Sequence, residues 1–278
     1  MGFSAHRDRP RLVDAHVHIR NSEGIASIVS AGIAAVRDAG MKDRSWQGPG
    51  RNVQYGNFPV ILSAEWALYK KNGYGAHLGV AVDKQDEIKS EILKLWNAGA
   101  GIIKVIASGM VSLKEPGRVT SGGFNREELA FIVQEAGDSG LNVMAHANGA
   151  QAIIAAAEAG VRSIEHGFFM TGRALEVMAK RKVFWVPTVG ALERAADSGN
   201  ASKEAKTFIG GLIRSHLGMI RDAHAGGVPL AVGTDCVLPD PRYRESYDRE
   251  LAYFEQAGFS REDVLKIACE GGARLLGI

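Results

Sequence analysis

Cysteine is almost absent from this chain, which has only Cys236 and Cys269, far apart in sequence. Two such thiols build no disulfide framework, and they fit a reducing compartment. Charge of one sign is lacking too. Lys and Arg number 33 against 31 Asp and Glu, a formal net charge of +2. With no basic run either, the footprint of a nucleic-acid partner is missing. No apolar run approaches the roughly 18 residues of a membrane span. The charged stretch 1–11 lacks the apolar segment of a signal peptide. Gly2 does not read as a myristoylation site, because His6 stands where Ser or Thr is needed. These absences leave the expectation of a soluble cytoplasmic protein, with no nucleic-acid and no membrane partner.

What is present is a core and a rhythm. Hydrophobic residues make up 46% and charged residues 23% of 278 positions, the balance of a globular chain close to the roughly 250 residues of an α/β barrel. Short runs rich in Val, Ile and Ala predict strands at 12–19, 34–39, 60–64, 102–107, 142–147, 163–166, 184–188 and 230–235. Helical segments lie between them. At 86–97, Ile88, Ile92, Leu95 and Trp96 fall on one face. Asn125 with Glu128, and Ser260 with Asp263, have the spacing of helix N-caps. Gly140, Gly160 and Gly227 stand where helices end. The connection 40–58 is polar and irregular. Strands alternating with helices imply a parallel sheet, and at this length a single closed (β/α)8 TIM barrel over 12–278, after a leader at 1–11. An open doubly wound sheet would want a glycine-rich turn after an early strand, where this chain has His-Val-His-Ile-Arg-Asn.

His16 and His18 stand at i and i+2 on the first strand, so both imidazoles face one side. Such a pair suits Zn²⁺ or a similar ion, though His-x-His alone is a weak signal. His146 lies near the end of the fifth strand, His166 closes the sixth and Asp235 ends the eighth. Barrel enzymes carry their sites at the C-terminal strand ends, so these groups should converge in one cup. Lys104 interrupts the apolar run Ile-Ile-Lys-Val-Ile. Buried, it is a neutral nucleophilic amine able to take up CO2 as a carbamate; otherwise it snorkels outward or is paired inside.

This set, with the stretches Ala34-Ala-Val-Arg-Asp-Ala-Gly, Ile164-Glu-His-Gly, Gly233-Thr-Asp and Gly272-Ala-Arg-Leu-Leu-Gly, resembles the amidohydrolase superfamily of binuclear metal type, in its imidazolonepropionase-like and prolidase-like branch. The resemblance runs from about Leu12 to Ile278. It implies two divalent ions, zinc by expectation: one on His16, His18 and Asp235, the other on His146 and His166, with a carbamate on Lys104 shared between them. Two departures stand out. The branch's small β-sandwich is not visible, so the chain is expected to lack it or to be truncated. The segment after the eighth strand, 243–256, holds no histidine.

The function implied is hydrolysis of an amide-type C–N bond, dipeptide-like or cyclic, by a metal-bridging hydroxide, with Asp235 as general base and then acid. Alternatives are a lactonase or phosphotriesterase on the same metals, a mononuclear deaminase, or a barrel that binds without catalysis. The deaminase is disfavoured because the stretch from His146 to Gln151 holds no acid. Asp14 and Asp38 either orient ligating imidazoles or are structural hydrogen-bonders. The strand-end loops offer Tyr74, His77, Arg118, Asn148, Phe168, Arg242 and Tyr243 to a small-molecule substrate, Arg118 by its fork geometry. Cys236, beside Asp235, reads as a space-filler, and His216 and His224 as peripheral. Self-association into a homo-oligomer is expected.

Overall fold

Residues 11–46, 59–197 and 201–278 are described by the structure, a computed structural model. The leader expected at 1–11 lies outside them apart from Arg11, and so do positions 47–58 of the irregular connection.

The chain runs β1 (Val13–Ile19), α1 (Glu23–Ser30), β2 (Ala35–Asp38), β3 (Val60–Ser63), β4 (Ala67–Lys70), β5 (Gly79–Val82), α2 (Gln85–Asn97) and β6 (Ile102–Ile106). It continues through α3 (Arg126–Asp138), β7 (Asn142–Ala147), α4 (Ala150–Ala159), β8 (Ser163–His166), α5 (Gly172–Arg181), β9 (Phe184–Val186), α6 (Val189–Asp197) and α7 (Lys203–Ala225). Then come β10 (Cys236–Leu238), α8 (Tyr243–Gln256), α9 (Arg261–Lys266), a π turn (Ile267–Gly271) and α10 (Gly272–Leu276).

Among the described residues the named strands pair in parallel, in a four-stranded sheet β10-β1-β2-β3 and a six-stranded sheet β5-β4-β6-β7-β8-β9. β3 and β4 are one line of chain broken at residues 64–66, where Glu65 has φ 60°. Gly101 N–H bonds Ser63 O at 2.9 Å on the far side of the break, and Ala67 then registers with Lys104. At the other seam, Trp185 N–H reaches Pro229 O at 2.9 Å and Ala231 N–H reaches Trp185 O at 3.1 Å. Ala15 N–H bonds Val232 O at 2.8 Å and Asp235 N–H bonds His16 O at 2.7 Å. Residues 230–235 thus lie between β9 and β1 and complete a (β/α)8 barrel.

The expected eighth strand needs correcting. Only Leu230 makes a ladder bridge, and regular strand starts at Cys236, in register with Val17. Gly233 leaves no room for a side chain, since a Cβ there would meet Val186 Cγ1 at 2.4 Å, and Asp235 has φ 56°, outside the extended region. Two other departures concern β4 and β5. Tyr69 is in strand β4 rather than in a loop, and β5 adds to the outer edge of β4.

Two apolar layers hold the barrel. Val13, Ala15, Val60, Ile102, Met144 and Val186 fill its interior. Val17, Val36, Ile103, Val143 and Ile164 face the helices, where Ile28, Ile92, Leu129, Met178 and Phe254 meet them. On α2, Ile88, Ile92 and Leu95 are buried with Glu91, whereas Trp96 is 37% exposed and not part of the buried face. Asn125 and Glu128 form the expected capping box, and Ser260 accepts from Asp263 N–H. Gly140, Gly160 and Gly227 all have positive φ. Glu250 of α8 accepts from Val189 and Gly190 N–H at 3.1 and 2.6 Å, fixing the first turn of α6. Among the described residues no helix is long and apolar enough to cross a membrane.

The last helix presses against the start of β1. A Cβ on Gly272 would stand 2.5 and 2.7 Å from Val13 Cβ and Cγ1, whereas one on Gly137 of α3 would meet nothing within 4 Å. Gly272→Ala is therefore expected to destabilise by about 1–3 kcal/mol through overpacking. Gly137→Ala should stabilise by roughly 0.5–1 kcal/mol through helix propensity. Thermal melts of both variants check the opposite signs.

Candidate metal centre

A β-bulge builds the first part of the site. In the pairing of β1 with β2 the register shifts between Asp14 and Val17. Val13 and Ala15 sit in the barrel interior, Val17 and Ile19 on the helix side, and His16 and His18 line the cavity at the barrel mouth. The irregularity re-aims the strand so that interior positions change from odd to even. Asp235 Oδ1 stands 3.4 Å from His16 Nε2 and 3.3 Å from His18 Nε2. The ligating atoms of these three residues lie within 4.8 Å of one another.

His146, on the interior side of β7, and His166, at the tip of β8, complete the ring. Their centroids are 4.6 Å apart, and His166 lies 5.1 Å from His16. Neighbours on a regular strand point to opposite faces. At the end of β8, however, His166 has φ 66° and faces the cavity, while Glu165 before it bonds His16. Lys104 of β6 is buried and lines the same cavity, so it points inward and not at the helices.

Each imidazole has its second nitrogen engaged. His16 Nδ1 donates to Glu165 Oε2 at 2.7 Å and His18 Nδ1 to Gly40 O at 2.7 Å. His166 Nδ1 pairs with the Thr188 hydroxyl at 2.7 Å, and His146 Nε2 donates to Gly109 O at 3.0 Å. The carboxylate and carbonyl acceptors fix the tautomers of His16, His18 and His146. The nitrogens across the rings are Nε2 of His16, His18 and His166 and Nδ1 of His146, those of His16 and His18 facing Asp235. Burial, aided by Lys104, lowers His16 and His146 to about 4, and burial with His146 takes His166 well down. All three are neutral, as metal ligation requires. Burial lowers Lys104 to about 8, with Glu165 and Asp235 opposing. Four imidazoles, three of them with fixed tautomers, a carboxylate and an inward lysine fit divalent cations.

Glu165 is the residue that sequence reasoning missed. It is 0% exposed and bonded by Arg37 Nη2 at 2.8 and 2.9 Å and by Ser163 Oγ. Burial opposes its charge, yet Arg37, His16 and Lys104 bring its carboxyl down to about 2. The available signal was a pair of opposite charges inside two apolar strands, Arg37 and Glu165. Asp14 and Asp38 do not orient imidazoles. Asp14 accepts from His16 N–H, Thr234 and the Tyr243 hydroxyl. Asp38 accepts from Ile19 N–H, Gly40 N–H, Arg44 and Ser63.

The cavity above the site measures about 270 Å³. Of the candidate substrate contacts, Tyr74, His77, Asn148 and Phe168 line it. Arg118, Arg242 and Tyr243 do not, and the reading of them as contacts is corrected. Arg118 is 75% exposed and paired with Glu115 at 3.1 Å. Arg242 is exposed at the start of α8. Tyr243 is buried, with its hydroxyl on Asp14 Oδ2 at 3.0 Å. His216 is not peripheral either, for it is buried against Phe168 and Trp185 with ring centroids 4.8 and 5.0 Å away.

The sequence profile of the amidohydrolase family matches residues 10–278. The chain belongs to that family. Among curated proteins, this amidohydrolase is 31% identical over 184 residues to an ochratoxinase of Aspergillus niger, an alignment covering 65% of this chain and 38% of that one. The chain thus spans less than half the length of that relative. It is 24% identical over 285 residues to an uncharacterized protein of Mycobacterium tuberculosis, covering 96% of this chain and 74% of that protein. Among solved structures it resembles a Xaa-Pro dipeptidase with bound methionine in its active site (TM-score 0.78, 22% identity, 97% of this chain and 75% of the other). The Aspergillus niger ochratoxinase superposes with TM-score 0.78 at 23% identity, over 96% and 71% of the two chains. Identities this low speak for the barrel fold alone.

Removing the anion behind His16 tests its orienting role. Glu165→Gln is expected to weaken divalent-metal affinity roughly 10–100-fold, read by competition with a chromophoric chelator. Unchanged affinity removes that role.

Proposed function

We propose that this amidohydrolase cleaves an amide-type C–N bond of a small molecule with two divalent cations, zinc by the nitrogen-rich ligand set. The observation that carries the reading is the gathering of His16, His18, Lys104, His146, His166 and Asp235 around one cavity. His16, His18 and Asp235 would hold one ion, and His146 and His166 the other. A carbamate on Lys104 would be common to both, a role supported by its place in the cavity of all four imidazoles. When bound, the pair supplies an activated water and polarises the carbonyl under attack.

The rest is work for the chain's own groups. Asp235, half-buried beside two imidazoles, takes the proton of the attacking water on a carboxylate oxygen and returns it to the leaving nitrogen. Glu165, Gly40, Thr188 and Gly109 keep the imidazoles turned inward. Tyr74 and His77, whose rings meet at 5.5 Å, form the polar side of the substrate wall. Two free cysteines, one of them buried, support a reducing cytoplasmic setting.

Metal analysis tests the reading. The wild type is expected to hold two equivalents per chain and Lys104→Ala one or none, with loss of amide hydrolysis in a chelator and recovery on adding zinc. Two equivalents retained by Lys104→Ala overturn the shared carbamate.

A further inference from the structure

The wall above the imidazoles is apolar. Met110, Val111, Leu113, Phe168, Leu192 and Val237 line it, and Met110 and Val237 are also 42% and 41% exposed. Large apolar side chains left in water beside a cavity mark a surface for an apolar partner. Their backbone is fixed. Val111 pairs antiparallel with Val119, and Thr120 N–H bonds Met110 O at 2.8 Å. Val111 and Leu113 of this hairpin pack with Phe168, Leu192, Ile209 and Leu212 in one cluster.

Charge is missing from the same wall. Among the described residues, Lys104 is the one Lys or Arg that lines the cavity, and Asp235 the one acid. Both belong to the candidate metal set. The guanidinium of Arg194 is engaged with the carbonyls of Thr234 and Asp235 at 2.6 and 3.1 Å. Arg44 is held by Asp38 and Ser63, each at 3.0 Å. The Asn148 side chain is used by Gly109 O and Phe168 N–H. Outside the candidate metal set, a carboxylate or ammonium brought against this wall would lose its hydration and meet no charged partner among the described residues, only the polar groups of Tyr74 and His77.

We propose that the substrate group seated on this wall is uncharged and apolar, an aryl or branched alkyl group. Met110, Phe168, Leu192 and Val237 select it and reject the free carboxylate of a dipeptide. This rests on the hydrolase reading above and narrows it. Rejection arises because, among the described residues, no charged side chain outside the candidate metal set answers the charge, a discrimination stronger than one from fit alone.

The test is a matched pair, N-benzoyl-2-phenylethylamine and N-benzoyl-phenylalanine, which differ by one carboxylate and release the same benzoate. With the zinc-loaded protein the neutral compound is expected to show kcat/KM at least tenfold higher and tighter binding by calorimetry. Met110→Arg, which sets a cation on the wall, should shrink or reverse that ratio. Equal or better use of the carboxylated compound by the wild type overturns the proposal while leaving hydrolysis in place. If neither is cleaved but the neutral one still binds tighter, the wall assignment stands and the hydrolase reading falls. No cleavage and no binding of either sinks both.

Discussion

A negative charge enclosed in the barrel, and the guanidinium that answers it, is the constraint on which the rest of the site depends. Glu165 and Arg37 are both fully buried. An isolated ion there would be untenable, and removing either partner leaves the other uncompensated. Arg37 directs its donors to two strands: Nε to Ala15 O of β1 at 2.7 Å, and Nη1 to Ser163 Oγ at 2.8 Å and Nη2 to Glu165, both of β8. The pair thereby ties β2 to β1 and β8 across the interior. Glu165 in turn holds His16, so the electrostatics that stabilise the barrel also set the direction of a candidate ligand.

The strand tips bear strain. Glu65, His166, Phe169, Thr188 and Asp235 all have φ between 47° and 66° without being glycine, a conformation rare for such side chains. His166, Phe169 and Thr188 end or follow β8 and β9, Glu65 lies in the break between β3 and β4, and Asp235 immediately precedes β10. Two are candidate ligands, and Thr188, just past β9, pairs with the ring of His166 at the end of the adjacent β8. The packed layers below over-determine these turns, as strained functional positions require.

Much of this was legible in the sequence. The barrel rhythm is written in eight apolar runs, and His16 with His18 announces a site because spacing of two on a strand needs no tertiary knowledge. The strand-end positions of His146, His166 and Asp235 are equally local. Glu165 was not legible as an orienting group, because alternation predicts that it turns away from His166; only the left-handed backbone of His166 lets both reach the interior. The bulge in β1 and the continuation of β3 into β4 depend on pairing with distant strands. Arg118, Arg242 and Tyr243 were misjudged for a related reason. A loop sequence shows which side chains are capable of binding, whereas ion pairs and burial decide where they go.

The seam formed by residues 230–235 has a consequence for how the protein is made. Thr234 bonds Asp14 across 220 positions of chain, and Asp235 arrives at His16 by the same junction. During synthesis the outer edge of β1 stays unpaired until residues 230–235 are delivered, so the nascent barrel carries an open strand edge over that interval. Contacts this remote in sequence make for slow closure. The cup of candidate ligands therefore forms only once residues 230–235 have joined β1, and the segments before them alone have no means to assemble it.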